Sequence, residues 1–85
     1  MILSFHPQAW EDYQFWLTND KAVLRKINQL IRDMQRDPFD GIGKPEPLKQ
    51  NLSGFWSRRI TDEHRIVYLV DGDSLVIAQC RSHYA

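Results

Sequence analysis

Residues 55–80 read FWSRRITDEHRIVYLVDGDSLVIAQC, and this stretch decides the fold. Aromatic and β-branched residues concentrate in three runs, which predict strands over 55–60, 65–70 and 74–80. The Asp-Gly-Asp at 71–73 favours a tight hairpin turn, and residues 61–64 favour a second one. The three strands are therefore expected to form an antiparallel meander. Residues 48–52 allow a short edge strand beside it.

Two helices are predicted upstream of the meander. Pro7 suits the first turn of a helix, where its missing N–H is not needed, so the first helix spans about 7–18. Asp20 can cap a second helix over about 21–36, which ends before Pro38. Because the connection is short, the two helices are expected to form an antiparallel hairpin.

Each predicted helix has an apolar stripe at helical spacing. In the first helix the stripe comprises Ala9, Trp10, Tyr13, Trp16 and Leu17. Phe15 lies off this stripe and is a candidate for a partner or dimer surface. In the second helix the stripe comprises Val23, Leu24, Ile27, Leu30, Ile31 and Met34.

Four cations, here called the cationic stripe, lie on the opposite side of the second helix: Lys21, Arg25, Arg32 and Arg36. Two interpretations stand side by side. The stripe is either an ordinary solvated helix face or a surface that contacts the phosphates of structured RNA without sequence preference.

A short strand is predicted at residues 2–5, before the first helix. Only the helices have apolar stripes that match the sheet, so they must cover one of its faces. The sequence therefore predicts an α+β fold of one domain, 1–85. An N-terminal strand joins a mainly antiparallel twisted sheet, and the antiparallel helical hairpin packs on one face of that sheet.

Composition restricts the classes of function that are open to this chain. Eleven cations balance eleven anions, so any RNA binding must come from local placement of charge and not from a generally basic surface. Cys80 is the one cysteine, which precludes an internal disulfide and fits a reduced, cytoplasmic setting. Its apolar neighbours favour a core residue over a nucleophile. No segment of the sequence suits a membrane span. The histidines have no metal-ligand spacing with Cys80, so no metal is expected, and no other cofactor is expected either.

Residues 43–65 and the C-terminal end carry the candidate chemistry. Glu46 is restrained by a proline on each side, and strand alternation places Arg59, Arg65 and His83 on the uncovered sheet face. A carboxylate, an imidazole and guanidinium groups together can cleave RNA through its own 2′-hydroxyl. In that interpretation Glu46 is the general base and His83 is the general acid.

Further residues complete the predicted site. Arg65 would hold the phosphate bidentately, and Tyr84 would stack on a base or orient the phosphate. Additional RNA- and phosphate-binding candidates are Lys44, Lys49, Arg59 and Arg81. Each residue also has an ordinary structural interpretation: a solvated glutamate, a frayed tail, or arginines paired with Asp62, Glu63 or Asp73.

Four segments together resemble the YoeB toxins of the RelE/ParE superfamily: GKPEPLK at 43–49, NLSGFWSRRI at 51–60, EHR at 63–65, and CR followed by HY at 80–84. The resemblance implies a RelE-like fold and a ribosome-dependent mRNA endonuclease, the toxin of a type II toxin–antitoxin pair, acting at the ribosomal A site. It also implies a YefM-type antitoxin and a homodimer. The family's catalytic positions match Glu46, Lys49, Arg59, Arg65, His83 and Tyr84, and its product is a 2′,3′-cyclic phosphate.

The chain departs from the family pattern in two respects. Its net charge is zero where family members tend to be basic, and it continues to Ala85 beyond His83 and Tyr84. Two other function classes remain open: a gyrase poison that resembles ParE, and a small protein-interaction domain. A gyrase poison has no need for the glutamate, histidine and tyrosine set.

Overall fold

The computed structural model describes residues 1–82, and within them the chain forms five strands and two α-helices. In chain order these are β1 (Ile2–Phe5), α1 (Pro7–Asn19), α2 (Lys21–Arg36), β2 (Glu46–Pro47), β3 (Trp56–Arg59), β4 (Arg65–Asp71) and β5 (Ser74–Gln79). The edge strand expected at 48–52 lies earlier, in β2, and a 3₁₀ turn at Gln50–Leu52 takes its place.

The strands form one sheet in the order β1-β5-β4-β3-β2. β1 runs parallel to β5, and the other neighbouring pairs are antiparallel. This confirms the predicted meander, the return of the N-terminal strand and the α+β fold class. A bulge between Val67 and Tyr68 shifts the pairing with β5 by one residue.

Alternation along the strands sends one set of side chains toward the helices. Ile66 and Tyr68 of β4 and Leu75 and Ile77 of β5 are fully buried. They share the core with the apolar face of α2, whose buried residues are Val23, Ile27, Leu30, Ile31 and Met34. The Asp20 side chain accepts hydrogen bonds from the N–H groups of Ala22 and Val23, which confirms the predicted cap.

The predicted apolar face of α1 is wrong in part. Trp10 is 52% exposed and Leu17 is 45% exposed, whereas Phe15 packs against the core. The cause is Asp12, which is buried and accepts a hydrogen bond from the Cys80 N–H at 3.0 Å. That bond turns α1 so that the face around Asp12 and Trp16 meets the end of β5.

Candidate active site

Arg58 of β3, whose side chain is fully buried, makes several hydrogen bonds to the loop between α2 and β2 (residues 37–45). Its guanidinium donates to the carbonyl oxygens of Asp37 at 2.7 Å, Ile42 at 3.1 Å and Asp40 at 3.2 Å. A buried charge is costly unless it is paired and hydrogen-bonded, and these carbonyls satisfy it. The loop is therefore attached to the sheet at three points.

Asp33 of α2 supplies the counter-charge for this guanidinium. Its Oδ2 accepts from Arg58 at 2.7 Å and from the Ile42 N–H at 2.9 Å, and its Oδ1 accepts from Arg36. The hydrogen bonds from Arg36, Ile42 and Arg58 hold the pKa of the Asp33 carboxyl well below its usual range. The Asp33 side chain thus joins α2, the loop and β3.

Tyr68 adds a further contact between the sheet and the loop. Its hydroxyl accepts from Arg58 Nε at 3.1 Å and donates to the Pro38 carbonyl at 2.7 Å. Burial raises the pKa of the Tyr68 hydroxyl, so it remains protonated and able to donate.

Gly43 lets the loop pass close to the core on its way to β2. Its φ of 79° favours glycine, and a Cβ here would lie 2.7 Å from Leu30 Cδ2. The Gly43 carbonyl accepts from the Arg59 N–H at 2.7 Å, so the loop pairs with β3 before β2 begins. Lys44 and Glu46 follow from this anchored point.

A cavity of about 400 Å³, here called the Glu46 cavity, opens on the sheet face that the helices leave uncovered. It is lined by Lys44, Pro45, Glu46, Pro47, Ser57, Arg59 and Arg65. The strand register explains this grouping, since Glu46 lies opposite Ser57 and Arg59 lies opposite Arg65. Three cations therefore surround one carboxylate, as expected if the cavity accepts an anion.

Arg65 is oriented by the turn that precedes it. One terminal nitrogen of its guanidinium, NH1, donates to the carbonyl oxygens of Thr61 at 2.7 Å, His64 at 3.1 Å and Asp62 at 3.2 Å. Within residues 1–82 neither Arg59 nor Arg65 forms an ion pair with a carboxylate. No carboxylate in this part of the chain therefore competes with an incoming phosphate for either guanidinium, although NH1 of Arg65 is engaged by the turn.

Glu46 also lines a second, adjoining cavity of about 320 Å³, which extends from Glu46 to Leu52 and includes Lys49. Glu46 is exposed, and its carboxylate accepts no hydrogen bond from the residues that the structure describes. Lys49 thus shares this cavity with Glu46, whereas Arg59 and Arg65 share the Glu46 cavity with it.

Two of the three non-glycine residues with positive φ in residues 1–82 line these cavities. Across residues 1–82 the non-glycine residues with positive φ are Lys44 at 54°, Gln50 at 57° and Ser82 at 65°. Lys44 lines the Glu46 cavity, Gln50 lines the adjoining one, and Ser82 directly precedes His83. Residues in this region of φ persist only where the surrounding structure holds them, and they cluster at functional sites.

The structure does not bring Arg81 to the Glu46 cavity. Its guanidinium carbon lies 3.5 Å from the centroid of the Phe15 ring, in a cation–π contact with α1. β5 ends at Gln79, so strand alternation does not fix the direction of the Arg81 side chain. Phe15 accordingly packs within the chain. His83 and Tyr84 lie outside the described residues.

The cationic stripe is exposed along α2, on the helix layer and not at the cavity. Arg36 within it pairs with Asp33 at 2.9 Å, so one of its four charges is engaged. Arg32 lies beside the exposed Trp10 at a separate cavity of about 330 Å³. Both interpretations of the stripe remain compatible with this placement.

Two residues near the site went unrecognised in the sequence. The buried position of Arg58 was not predicted, because the sequence shows it only as one of several cations in residues 43–65. Strand alternation with Arg59 did indicate that one of these two arginines faces the helices. His64 accepts a hydrogen bond from the Ser82 N–H at 2.7 Å, and no local pattern indicates this contact across eighteen positions. Cys80 is buried, as predicted, and burial raises the pKa of its thiol to about 12.

Within residues 1–82 no group of three or more His, Cys, Asp or Glu side chains is arranged to hold a metal ion. No helix in the same part of the chain is long and apolar enough to cross a membrane.

Comparison with known proteins shows the family of this chain. The model of the family described as YoeB-like toxin of bacterial type II toxin-antitoxin system matches residues 5–84. The chain belongs to the YoeB toxin family. It is 61% identical to Toxin YoeB of Escherichia coli K12 over 84 residues, which span 99% of this chain and 100% of that protein. The expected toxin identity is thereby confirmed.

Solved structures of YoeB toxins have the same fold. The YoeB/ParE toxin from Agrobacterium tumefaciens superposes with a TM-score of 0.97 at 52% identity, covering 99% of this chain and 100% of that one. A YoeB–YefM complex from Staphylococcus aureus superposes with a TM-score of 0.91 at 48% identity, covering 99% and 98%. YoeB from the same species is also known as a dimer.

Proposed function

We propose that this chain is a metal-independent endoribonuclease, an mRNA interferase that cuts messenger RNA on the ribosome and so arrests translation. The observation that supports this most directly is the Glu46 cavity. It presents one carboxylate facing Arg59 and Arg65, which make no ion pairs within residues 1–82. A site of this kind suits an anionic ligand that also offers a proton for a base to remove.

The proposed reaction is an internal transfer within the RNA strand. The Glu46 carboxylate takes the proton from a 2′-hydroxyl, and that oxygen forms a bond to the adjacent phosphorus. The bond from phosphorus to the 5′-oxygen of the next nucleotide breaks, and His83 donates a proton to the departing oxygen. The products are a 2′,3′-cyclic phosphate end and a free 5′-hydroxyl end.

Charge on the phosphate grows during this reaction, and the cavity offers groups that can stabilise it. Arg65 is already oriented by three carbonyl oxygens, so little reorganisation is needed when a phosphate arrives. Arg59 and Lys44 add positive charge within the cavity, and Lys49 adds it from the adjoining one. Tyr84 is assigned to stacking or phosphate orientation. Arg81 would contact RNA outside the cavity.

The partners follow from the relatives and from the charges. We infer that a YefM-type antitoxin binds the chain and covers the cations of the Glu46 cavity, since the S. aureus relative forms such a complex. The dimer of that relative supports a homodimer. The cationic stripe of α2 is assigned to ribosomal RNA near the A site. The protein would act as one domain, 1–85, in the cytoplasm, where ribosomes lie.

In vitro translation of a defined message, with RNA ends mapped by primer extension, tests this proposal. Wild type is compared with Glu46→Gln and with Glu11→Gln, a control that removes an exposed carboxylate from α1. Wild type and Glu11→Gln should cut the message at ribosome-occupied codons, and Glu46→Gln should leave it whole. The reason is that an amide cannot accept the 2′-hydroxyl proton.

Other outcomes overturn the proposal in distinct ways. Blocked translation with intact message from all three proteins means a binding inhibitor. Undisturbed translation from all three points to a gyrase poison that resembles ParE, or to a protein-interaction domain. Cleavage by Glu46→Gln at the wild-type rate removes Glu46 as the base.

A further inference from the structure

Ser57 of β3 lies on the floor of the Glu46 cavity. The next residue, Arg58, points to the helix layer, where it is fully buried and bonds to Asp33 of α2. Alternation along β3 therefore directs Ser57 to the opposite face, and it lines the Glu46 cavity accordingly. Although no helix covers this face, Ser57 is only 3% exposed. Its side chain thus lies at the bottom of the cavity and not at its rim.

The Ser57 hydroxyl forms no hydrogen bond with a side chain or a backbone group of residues 1–82. Glu46 lies directly opposite Ser57 in the antiparallel ladder, where Cβ atoms are about 4.5–5.5 Å apart, yet its carboxylate leaves the hydroxyl unused. Within the same range no side-chain oxygen or nitrogen is both fully enclosed and unpartnered, so the hydroxyl opens to the cavity. A buried polar group is costly without a hydrogen bond, and a bound ligand would supply one.

The strand register places Ser57 between a carboxylate and two guanidinium groups. Arg59 follows two residues later on the same face, about 7 Å along the strand. Arg65 lies opposite Arg59, just as Glu46 lies opposite Ser57. A phosphate that the two arginines hold, with its ribose directed toward Glu46, would therefore lie over the Ser57 hydroxyl.

A neutral donor suits this buried position better than a charged one. A lysine or an arginine at the floor would lose its hydration while the cavity is empty, which is costly for an ion. A serine hydroxyl carries no charge, so it can remain buried and still donate one hydrogen bond. The cavity around it contains three cations, Lys44, Arg59 and Arg65, and one carboxylate, so its charges favour an anionic ligand.

We propose that Ser57 is a phosphate-binding residue, whose hydroxyl donates a hydrogen bond to a non-bridging oxygen of the phosphate that Arg59 and Arg65 hold. That this phosphate belongs to the RNA strand rests on the proposed function. A different use of the hydroxyl, as a donor to the Glu46 carboxylate, would change the base and leave the affinity for phosphate unaffected. Binding and cleavage measurements separate these two uses.

Titration with inorganic phosphate, at constant pH and ionic strength, tests the hydrogen bond directly through NMR shifts of the backbone amides. In wild type the amides of the residues that line the Glu46 cavity should shift and saturate. Ser57→Ala removes the oxygen alone and should raise the Kd for phosphate about tenfold or more, because hydrogen bonds to charged groups are the stronger ones. Ser53→Ala makes the same change at an exposed serine that lines neither this cavity nor the adjoining one, so its Kd should match wild type.

A purely structural role for Ser57 predicts different behaviour, since Ser57→Ala would then lower the unfolding temperature in the absence of phosphate. Because the hydroxyl bonds to no group of residues 1–82, the ligand-free variant should instead unfold within about 3 °C of wild type. Phosphate should then raise the unfolding temperature of wild type more than that of the variant. A larger loss of stability in the ligand-free variant, equal Kd values, or no saturable shifts in wild type would each overturn the inference.

Single-turnover cleavage of message on programmed ribosomes connects the phosphate site to the reaction. Ser57→Ala should cut about tenfold more slowly or worse, and the pH dependence should keep its wild-type shape because Glu46 is unchanged. A wild-type rate in the variant overturns the inference, as does a displaced acidic limb of the pH profile with an unchanged Kd for phosphate. If wild type leaves the message whole while Ser57→Ala still weakens phosphate binding, the proposed function fails and the phosphate site stands.

Discussion

Replacing Arg58 by methionine should cost this protein a large part of its stability. The change keeps a long apolar stem but removes a buried guanidinium that donates to Asp33, to Tyr68 and to the carbonyl oxygens of three loop residues. Removing one partner of a buried, hydrogen-bonded charge pair costs about 3–5 kcal/mol. Small domains have a free energy of unfolding of about 5–15 kcal/mol, so the loss is a substantial share.

The assay is urea and thermal unfolding, followed by tryptophan fluorescence and circular dichroism. For a domain of this size each kcal/mol lowers the unfolding temperature by about 4–8 °C, so Arg58→Met should lower it by at least about 12 °C. The unfolding temperature of Arg58→Lys should lie between those of wild type and Arg58→Met, because an ammonium keeps the charge but cannot reach all of the same acceptors.

Arg59→Met is the matched control, because Arg59 is the next residue and is exposed. Its effect on the free energy of unfolding should stay within about 0.5 kcal/mol, as for other surface substitutions. Under the proposed function it should slow RNA cleavage instead. A loss below about 1 kcal/mol in Arg58→Met, or an equal loss in Arg59→Met, would refute the assignment of Arg58 as the anchor of the loop.

Two further predictions concern titrating groups. The folded-state pKa of Asp33 lies below its ordinary value of 3.8, so the stability it contributes is complete above that value and is lost as the pH falls through the folded pKa. Asp33→Asn should therefore unfold with a flatter pH dependence in urea titrations from about pH 5 down to about pH 2, and equal slopes would contradict this. Burial raises the pKa of Cys80 to about 12, so iodoacetamide at neutral pH should label the native protein far more slowly than the urea-unfolded one. Equal labelling rates would show that the thiol is accessible.

Much of the fold was predictable because it depends on local periodicity. α2 begins and ends at Lys21 and Arg36, as its apolar spacing and the Asp20 cap indicate. The turn at Gly72 follows from its own residues. These signals lie within a few positions along the chain, so they survive without knowledge of the rest of the molecule.

The orientation of α1 was not predictable in the same way. Trp10 and Leu17 fit an apolar stripe, yet both are exposed, and the polar Asp12 takes a buried position. The deciding contact joins Asp12 to the Cys80 N–H, 68 positions away. A helical pattern indicates which residues share a face, but a partner supplied by a distant strand decides which face is buried.

The candidate site was likewise predictable only in part. The spacing of residues and the resemblance to YoeB toxins indicated Glu46, Arg59 and Arg65 as a group, and the strand register places them around one cavity. Arg81 was predicted to bind RNA or phosphate, but it lies beyond the end of β5 and its guanidinium contacts the Phe15 ring instead. Period-two alternation holds only while the strand continues.

From its sequence alone this chain is recognisable as a YoeB toxin, with its strands, its helical hairpin and the chemical groups of its candidate site. Only the tertiary structure separates Arg58 from Arg59, two identical neighbours of which one anchors a loop and the other faces a cavity. Only the tertiary structure shows that the His64 ring accepts a hydrogen bond from the Ser82 N–H. The physical reason is that backbone periodicity is local, whereas the partner of a buried charge or of an unpaired N–H is supplied by whichever distant segment the folded chain brings within hydrogen-bonding distance.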